Sequence, residues 1–566
     1  MKRIVLIVSI ALASAGIVWA AYQAAAPSAP LSKYVPAGPV LYLEAKDFSS
    51  LLNDWNSSPQ KRQWIQSDTY EAFSRSRLFL RLSGASDQFA TAAGLPPDMN
   101  FLDQVAGGPS AFAIYDIGKL EFLYITYLPS AKSMETALWQ SRDKFEPRTA
   151  GGVDFYFRRD PQSQREVAFA ISGDYLLLAT REDLMAGALQ LMSGKPDRTV
   201  ESEQWWAESV AAADKPGDLR MVLDLEKLVP NGYFRTYWVQ QNITDLSHYS
   251  AAVCDLFRSS KEYREERVLI RKKEADHPAS ADGFNAAADL ARLVPDDAGM
   301  YQAIANPTAD SAFALLETKL LAPHLGPAPP SQIAPQVQLT SGEQGGASDL
   351  ETRIDQAPAE HPAAQTISAL KDLLDKTPLL ASLRLQSTIR DQAGVFIRMH
   401  SAVVLAATSD WTESTVDSAL ADFVRPGLTA SQLGVAWRAK SGYQQLDGLW
   451  PLAASVHGKY LLVSDDATLM ESLLANFNHK STSEPAEFIA GFNHQGERSN
   501  FVRFTGLIDG SRMFGGSMQN GERQPQFFSG NMASLSSTLA AVSSEKIEAR
   551  EDGGKVRQSV VYEWSQ

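Results

Sequence analysis

The chain has 566 residues, with 52 Lys and Arg against 66 Asp and Glu, a formal charge of -14 at neutral pH. That length exceeds one hydrophobic core, and 44% hydrophobic with 21% charged residues is the composition of a folded protein. The acidic balance argues against nucleic acid or an anionic membrane surface as the main partner, because either would repel the average surface.

At the start, Lys2 and Arg3 precede a stretch from Ile4 to Ala21 without a charge, and the next charged residue is Lys33. Such a segment enters a membrane. Two readings stay open: a signal peptide cut after Val18-Trp19-Ala20, or a single uncleaved anchor with Trp19 and Tyr22 at the interface. Residues 1–22 are assigned to this segment and 23–33 to an Ala/Pro spacer. In both readings the remainder is exported, to the periplasm or cell envelope, and an uncleaved segment makes the membrane a partner. Cys254 is the one cysteine, so no intrachain disulfide forms.

Repetition organises the rest. Gly173-Asp174-Tyr175-Leu176-Leu177-Leu178 returns as Gly458-Lys459-Tyr460-Leu461-Leu462-Val463, followed by Thr180 or Asp465 as the expected helix N-cap. Behind each lies one apolar stripe: Leu184, Met185, Ala188 and Leu189 in the first copy, Leu469, Met470, Leu473 and Leu474 in the second. Val35-Pro36 through Tyr42 matches Val294-Pro295 through Tyr301 at a separation of 259, and the glycine motif recurs at 285. The same 285 relates Asp224 to Asp509, and 289 relates Ala251-Ala252-Val253 to Ala540-Ala541-Val542. These matches predict a duplication, with unit 1 at 34–275, a linker at 276–291 and unit 2 at 292–566. A Pro/Gly-rich run at 323–364 is expected to be a mobile insertion within the second unit.

Within the first unit, 54–82 reads as helical, 111–115 and 120–128 as a strand pair, and 133–145 as a helix. A hairpin follows, turning at Ser172-Gly173-Asp174. The second unit is expected to have strands at 394–399 and 402–407, a helix near 413–424, and hairpins turning at Gly458 and at Gly553-Gly554. Hairpin-joined strands make an antiparallel sheet. The fold class is therefore α+β: two tandem homologous units, each an antiparallel sheet with helices packed on it.

Motifs for chemistry are sparse. The eight histidines show no metal-ligand spacing, and neither a G-x-S-x-G elbow nor a phosphate loop is present. The S-x-x-K occurrences, as at Ser58 and Lys61, lack the companion elements of a penicillin-binding site. No catalytic, cofactor or metal residue is assigned. Aromatic clusters remain as a candidate partner or ligand surface: Trp205, Trp206, Tyr233, Tyr237 and Trp238.

The membrane-entering start, the length and the V-P-x-x-x-x-x-Y strand opening, Val35 to Tyr42, together resemble an uncharacterised family of exported bacterial proteins, a domain of unknown function. The resemblance implies no activity, cofactor or residue role. The expected function is non-catalytic binding or scaffolding of an envelope protein or ligand. The alternatives are an envelope hydrolase with dispersed residues, and a carrier of an apolar ligand, since Phe122 to Leu128 is apolar on both faces.

Overall fold

The computed structural model describes residues 30–66, 70, 74–75, 83–84, 89–93, 101–132, 137–232, 234, 246–272, 280–321, 369–390, 397–428, 436–447, 452–479, 483–497 and 542–564. The expected membrane segment at 1–22, the insertion at 323–364, and Tyr233, Tyr237 and Trp238 lie outside them. The chain divides into two compact units. The first comprises Met1–Ser58, Phe73–Leu256 and Val268–Lys272, the second Pro59–Ala72, Phe257–Arg267 and Lys273–Gln566. The fold is α+β in both.

The strands of the first unit are β1 (Leu41–Ala45), β2 (Ser110–Asp116), β3 (Glu121–Tyr127), β4 (Glu146–Ala150), β5 (Val153–Arg159), β6 (Glu166–Ser172), β7 (Tyr175–Ala179), β8 (Leu219–Asp224) and β9 (Tyr249–Arg258), and β10 (Glu262–Arg271) follows. Their pairing runs β4-β5-β6-β7-β3-β2-β1-β8-β9, antiparallel throughout. Alternate residues enter opposite faces, and both faces are apolar. One holds Tyr42, Ala113, Leu123, Ile125 and Leu177. The other holds Tyr124, Val167, Phe169, Leu176 and Leu178.

The first of these faces is covered by two helices, labelled here after α1 (Phe48–Ser57) and α2 (Phe101–Val105): α3 (Glu182–Met192) and α4 (Gln204–Ala212). The stripe of α3 is buried at Leu184, Met185, Ala188 and Leu189, each large side chain being worth about 1.5–3 kcal/mol. Glu182 and Asp183 in its first turn complement the helix dipole. Gly194, at φ 80°, ends it by donating to Leu191 O at 3.0 Å. Gly151, at φ 61°, passes so close that a Cβ there would lie 2.4 Å from Leu189 O.

The strands of the second unit are β11 (Met300–Ala305), β12 (Leu379–Arg390), β13 (Ile397–Ala407), β14 (Ala436–Ala439), β15 (Gln444–Asp447), β16 (Leu452–His457), β17 (Tyr460–Ser464), β18 (Phe488–Asn493), β19 (Val542–Asp552) and β20 (Lys555–Trp564). They pair in the order β14-β15-β16-β17-β13-β12-β11-β18-β19-β20. As far as β19 this repeats the order of the first unit. The registers repeat too. Tyr42 faces Ala113 and Val222, and Tyr301 faces Leu385 and Gly491. One face carries α5 (Ala281–Ala291) and α9 (Ala467–Ala475), the other α6 (Ala309–Leu316), α7 (Ala369–Asp375) and α8 (Glu413–Leu428).

Several expectations need correction. The spacer ends before Leu31, which is 1% exposed in a short 3-10 turn and packs into the core below α3. The supposed linker at 276–291 contains α5, capped by Ser280 and buried at Gly283, Ala286, Ala287, Ala288 and Leu290. Small alanines let it lie close to the sheet. Residues 394–399 and 402–407 are not two strands, since 397–407 is continuous and its hairpin partner is β12. The helix expected from 54 begins earlier, as α1 at Phe48 capped by Asp47, is broken at Ser58 and resumes over Pro59–Ile65, while most of 67–82 lies outside the described residues. Asp509 and Ala540, matched in sequence to Asp224 and Ala251, lie outside the described residues. Asp224 and Ala251 are cross-strand partners, and Asn493 and Ser544 pair in the same way. Asp224 accepts the Lys227 amide at 3.2 Å, and Asn493 accepts that of Gly496 at 2.7 Å, the same turn in each case.

Candidate functional site

In the first unit, one sheet face borders a cavity. Leu43 and Ala45 of β1, Phe112 of β2, Phe122 of β3, Val167 of β6 and Leu178 of β7 line a cavity of about 1150 Å³. Phe48 of α1, Val105 of α2, and Phe89 and Ala92 from the helical stretch 89–93 roof it. Its aromatic lining is a linked set. Phe112 and Phe122 stand 5.2 Å apart, Phe89 and Phe122 5.9 Å, and Phe48 meets Tyr124 edge-on at 6.3 Å.

Polar groups on the lining are engaged. Tyr124 donates to Val105 O at 2.9 Å, and its burial raises the phenol above its ordinary pKa. Ser110 and Thr126 share a hydroxyl contact at 2.6 Å, and Thr126 also accepts the Gly107 amide at 3.1 Å. Thr180 Oγ1 accepts the Phe122 amide at 2.8 Å. Among the described lining residues there is no histidine and no cysteine.

Charged residues gather at the mouth. Two turns build it, 117–120 between β2 and β3 and 160–165 between β5 and β6, with the junction of β7 and α3 beside them. Asp160 anchors the second turn by accepting the Ser163 amide at 2.7 Å and hydroxyl at 2.6 Å, which lowers its carboxyl pKa. Arg181 donates to Glu121 at 2.9 Å and to Asp183 through Nε at 2.9 Å. Asp183 and Glu121 together raise its already high pKa.

Helices lie on the corresponding face of the second unit. Between β13 and β14 the second unit places the long helix α8, and Val416, Leu420, Leu316 and Leu370 are wholly buried on that face. In the first unit the described residues of the link between β3 and β4 form the 3-10 turns Pro129–Lys132 and Arg142–Lys144 and, between them, the short α-helix Ala137–Gln140.

Trp205 and Trp206, expected on a partner surface, are instead 8% and 6% exposed. Trp206 meets Tyr42 edge-on at 4.6 Å, so the pair packs the core. The lining phenylalanines were missed as site residues, although two-sided apolarity in Phe122 to Leu128 was the signal for them. Among the described residues no three His, Cys, Asp or Glu side chains converge on a possible metal position. No described helix is long and apolar enough to cross a membrane.

No protein-family model and no curated protein matches the chain. Solved structures of TP0453 in crystal forms I and III are similar to part of it, each at 13% identity with a TM-score of 0.24, covering 44% of this chain and 82% of that one. Crystal form IV gives 12% identity and a TM-score of 0.23 over 43% of this chain. A likeness of that degree carries no inference about ligand or activity.

Proposed function

We propose that this is a non-catalytic binding protein of the cell envelope whose first unit holds an apolar molecule on the open face of its sheet. The observation that carries the reading is the cavity of about 1150 Å³, floored by Leu43, Phe112, Phe122 and Leu178. Ligand sites are commonly concave, mainly apolar and about 300–1,000 Å³, so this one has room for a long chain or a fused ring system. A hydrolase would need a nucleophile beside a base. Here the hydroxyls of Ser110 and Thr180 are engaged by Thr126 and by the Phe122 amide, Ser163 donates to Asp160 in a bond that holds the 160–165 turn, and the described lining has no histidine to act as base.

Export is supported by Lys2 and Arg3 ahead of the uncharged run to Ala21. Descent of the two units from one duplicated module is supported by their common strand order and registers.

The test is solvent extraction of the purified protein with mass spectrometry of what it releases, together with titration of a fluorescent apolar dye. Saturable dye binding, lost in Leu43→Trp and in Leu178→Trp with melting temperature retained, is the expected result. Absence of saturable binding to the wild-type chain, or binding indifferent to both substitutions, overturns the proposal.

A further inference from the structure

The charges at the mouth of the cavity balance in number, but they do not all pair with one another. Its described lining carries Lys119, Arg165 and Arg181 against Glu121, Glu166 and Asp183. Arg181 pairs with both Glu121 and Asp183. Glu166 pairs with Arg159 and accepts the Glu182 amide at 3.1 Å. All three carboxylates are thus met by cations or amides without Arg165.

The Arg165 guanidinium makes one hydrogen bond among the described residues, from Nη1 to the backbone oxygen of Lys119 at 2.8 Å. A guanidinium has five N–H donors in a planar fork, so this bond fixes the group and leaves most of it available. It also ties the two turns of the mouth together. Beside it, Lys119 keeps its ammonium exposed, 3.8 Å from a Glu121 already held by Arg181.

The backbone at the mouth is unusual as well. Leu120 at φ 57° and Gln164 at φ 58° are two of the three described non-glycine residues with positive φ, and both line the cavity. Left-handed backbone at such residues is strained and gathers at ligand sites. Here it sets Arg165 and Lys119 side by side over an apolar interior, in a chain whose net charge is -14.

We propose, on the footing of the binding function above, that the ligand is an amphiphile whose apolar body enters the cavity and whose anionic head group is taken by Arg165, assisted by Lys119. A carboxylate and a phosphate both satisfy the fork bidentately. Free fatty acids and phosphate-headed lipids are the two sources of that chemistry.

Displacement of the bound dye from the full chain by dodecanoate, dodecyl phosphate, dodecanol and dodecyltrimethylammonium distinguishes them. Both anionic compounds are expected to displace it at about tenfold lower concentration than dodecanol, the size of one charge-assisted hydrogen bond. The stronger of the two names the source. In Arg165→Gln that preference falls to within about twofold, and Arg165→Lys, which keeps the charge without the fork, lies between. Dodecanol measured on each variant separates a lost head-group contact from a damaged cavity. Equal displacement by alcohol and anions, a preference for the ammonium, or a preference intact in Arg165→Gln overturns the head-group assignment while leaving the cavity reading in place. Failure of all four compounds to displace the dye instead counts against the cavity reading.

Discussion

Thr180 accepts the amide of Phe122 through Oγ1 at 2.8 Å, stitching the end of β7 to the start of β3. In the second unit Asp465 accepts the amide of Ser401 at 2.8 Å in the corresponding place between β17 and β13. Each side chain closes a ladder that the backbone leaves open as the chain turns towards its helix. Removing the acceptor strands a half-buried N–H, at a cost of about 1–3 kcal/mol. Thr180→Ala should therefore lower the midpoint of urea unfolding with an unchanged slope, whereas Thr180→Ser should stay near wild type. Equal midpoints for the two variants would show that the bond contributes nothing.

These two residues also show where sequence reading stops. Thr180 and Asp465 have the composition of helix caps and stand where caps belong, yet they serve the sheet. The cap of α9 is the next residue, Asp466, which accepts the Leu469 amide at 2.8 Å, and Arg181 at the start of α3 makes no side-chain cap at all. Residue type is local, while the choice between a sheet amide and a helix amide depends on a strand about sixty positions away. The hairpins were legible because Gly173 and Gly458, at φ 59° and 55°, carry their requirement within one turn. Helix α5 was not, because its run of alanines gives little hydrophobic contrast. The cavity face was half legible: alternation in Phe122 to Leu128 announces two apolar faces, but the described residues over it, Phe48, Phe89, Ala92 and Val105, are scattered in sequence and leave no periodic trace.

Arg220 and Asp255 form a buried ion pair across β8 and β9, with Asp255 also accepting the Gly217 amide at 2.8 Å. Their side chains are 10% and 4% exposed. Breaking such a pair from one side leaves a charge without compensation, at about 3–5 kcal/mol. Asp255→Ala and Arg220→Ala should each destabilise by that order in chemical unfolding. The double variant should lose less than the sum, and strict additivity would contradict mutual compensation.

Glu44 accepts the Tyr42 hydroxyl at 2.7 Å on the core side of β1. Burial raises its carboxyl pKa, with the Tyr42 hydrogen bond opposing the shift. A raised folded pKa means that the folded state holds the proton more tightly. The contribution to stability is then full below the unfolded value of about 4.3 and is lost as pH rises through the folded value. Glu44→Gln keeps the hydrogen-bonding shape without the charge. Melting temperatures of the two proteins from pH 4 to pH 8 should diverge, with the variant gaining on wild type as pH increases. A constant difference across that range would remove Glu44 as the cause.

Tyr301 and Gly491 face each other across β11 and β18. The ring lies over the glycine so closely that a Cβ there would come within 2.3 Å of Tyr301 Cε1. Burial of that ring pushes its phenol up to about 12. In the first unit the corresponding pair is Tyr42 and Val222, and the tyrosine turns instead to the edge of Trp206. The glycine is therefore required by the ring's position and not by the strand. Gly491→Ala should cost about 1–3 kcal/mol through overpacking, even though alanine suits a strand no worse than glycine. Tyr301→Ala removes the obstruction, so in a double-mutant cycle the two changes should couple by about 0.5–3 kcal/mol in the sense of mutual relief. Additive losses would mean that the ring moves aside freely and that Gly491 answers to something else.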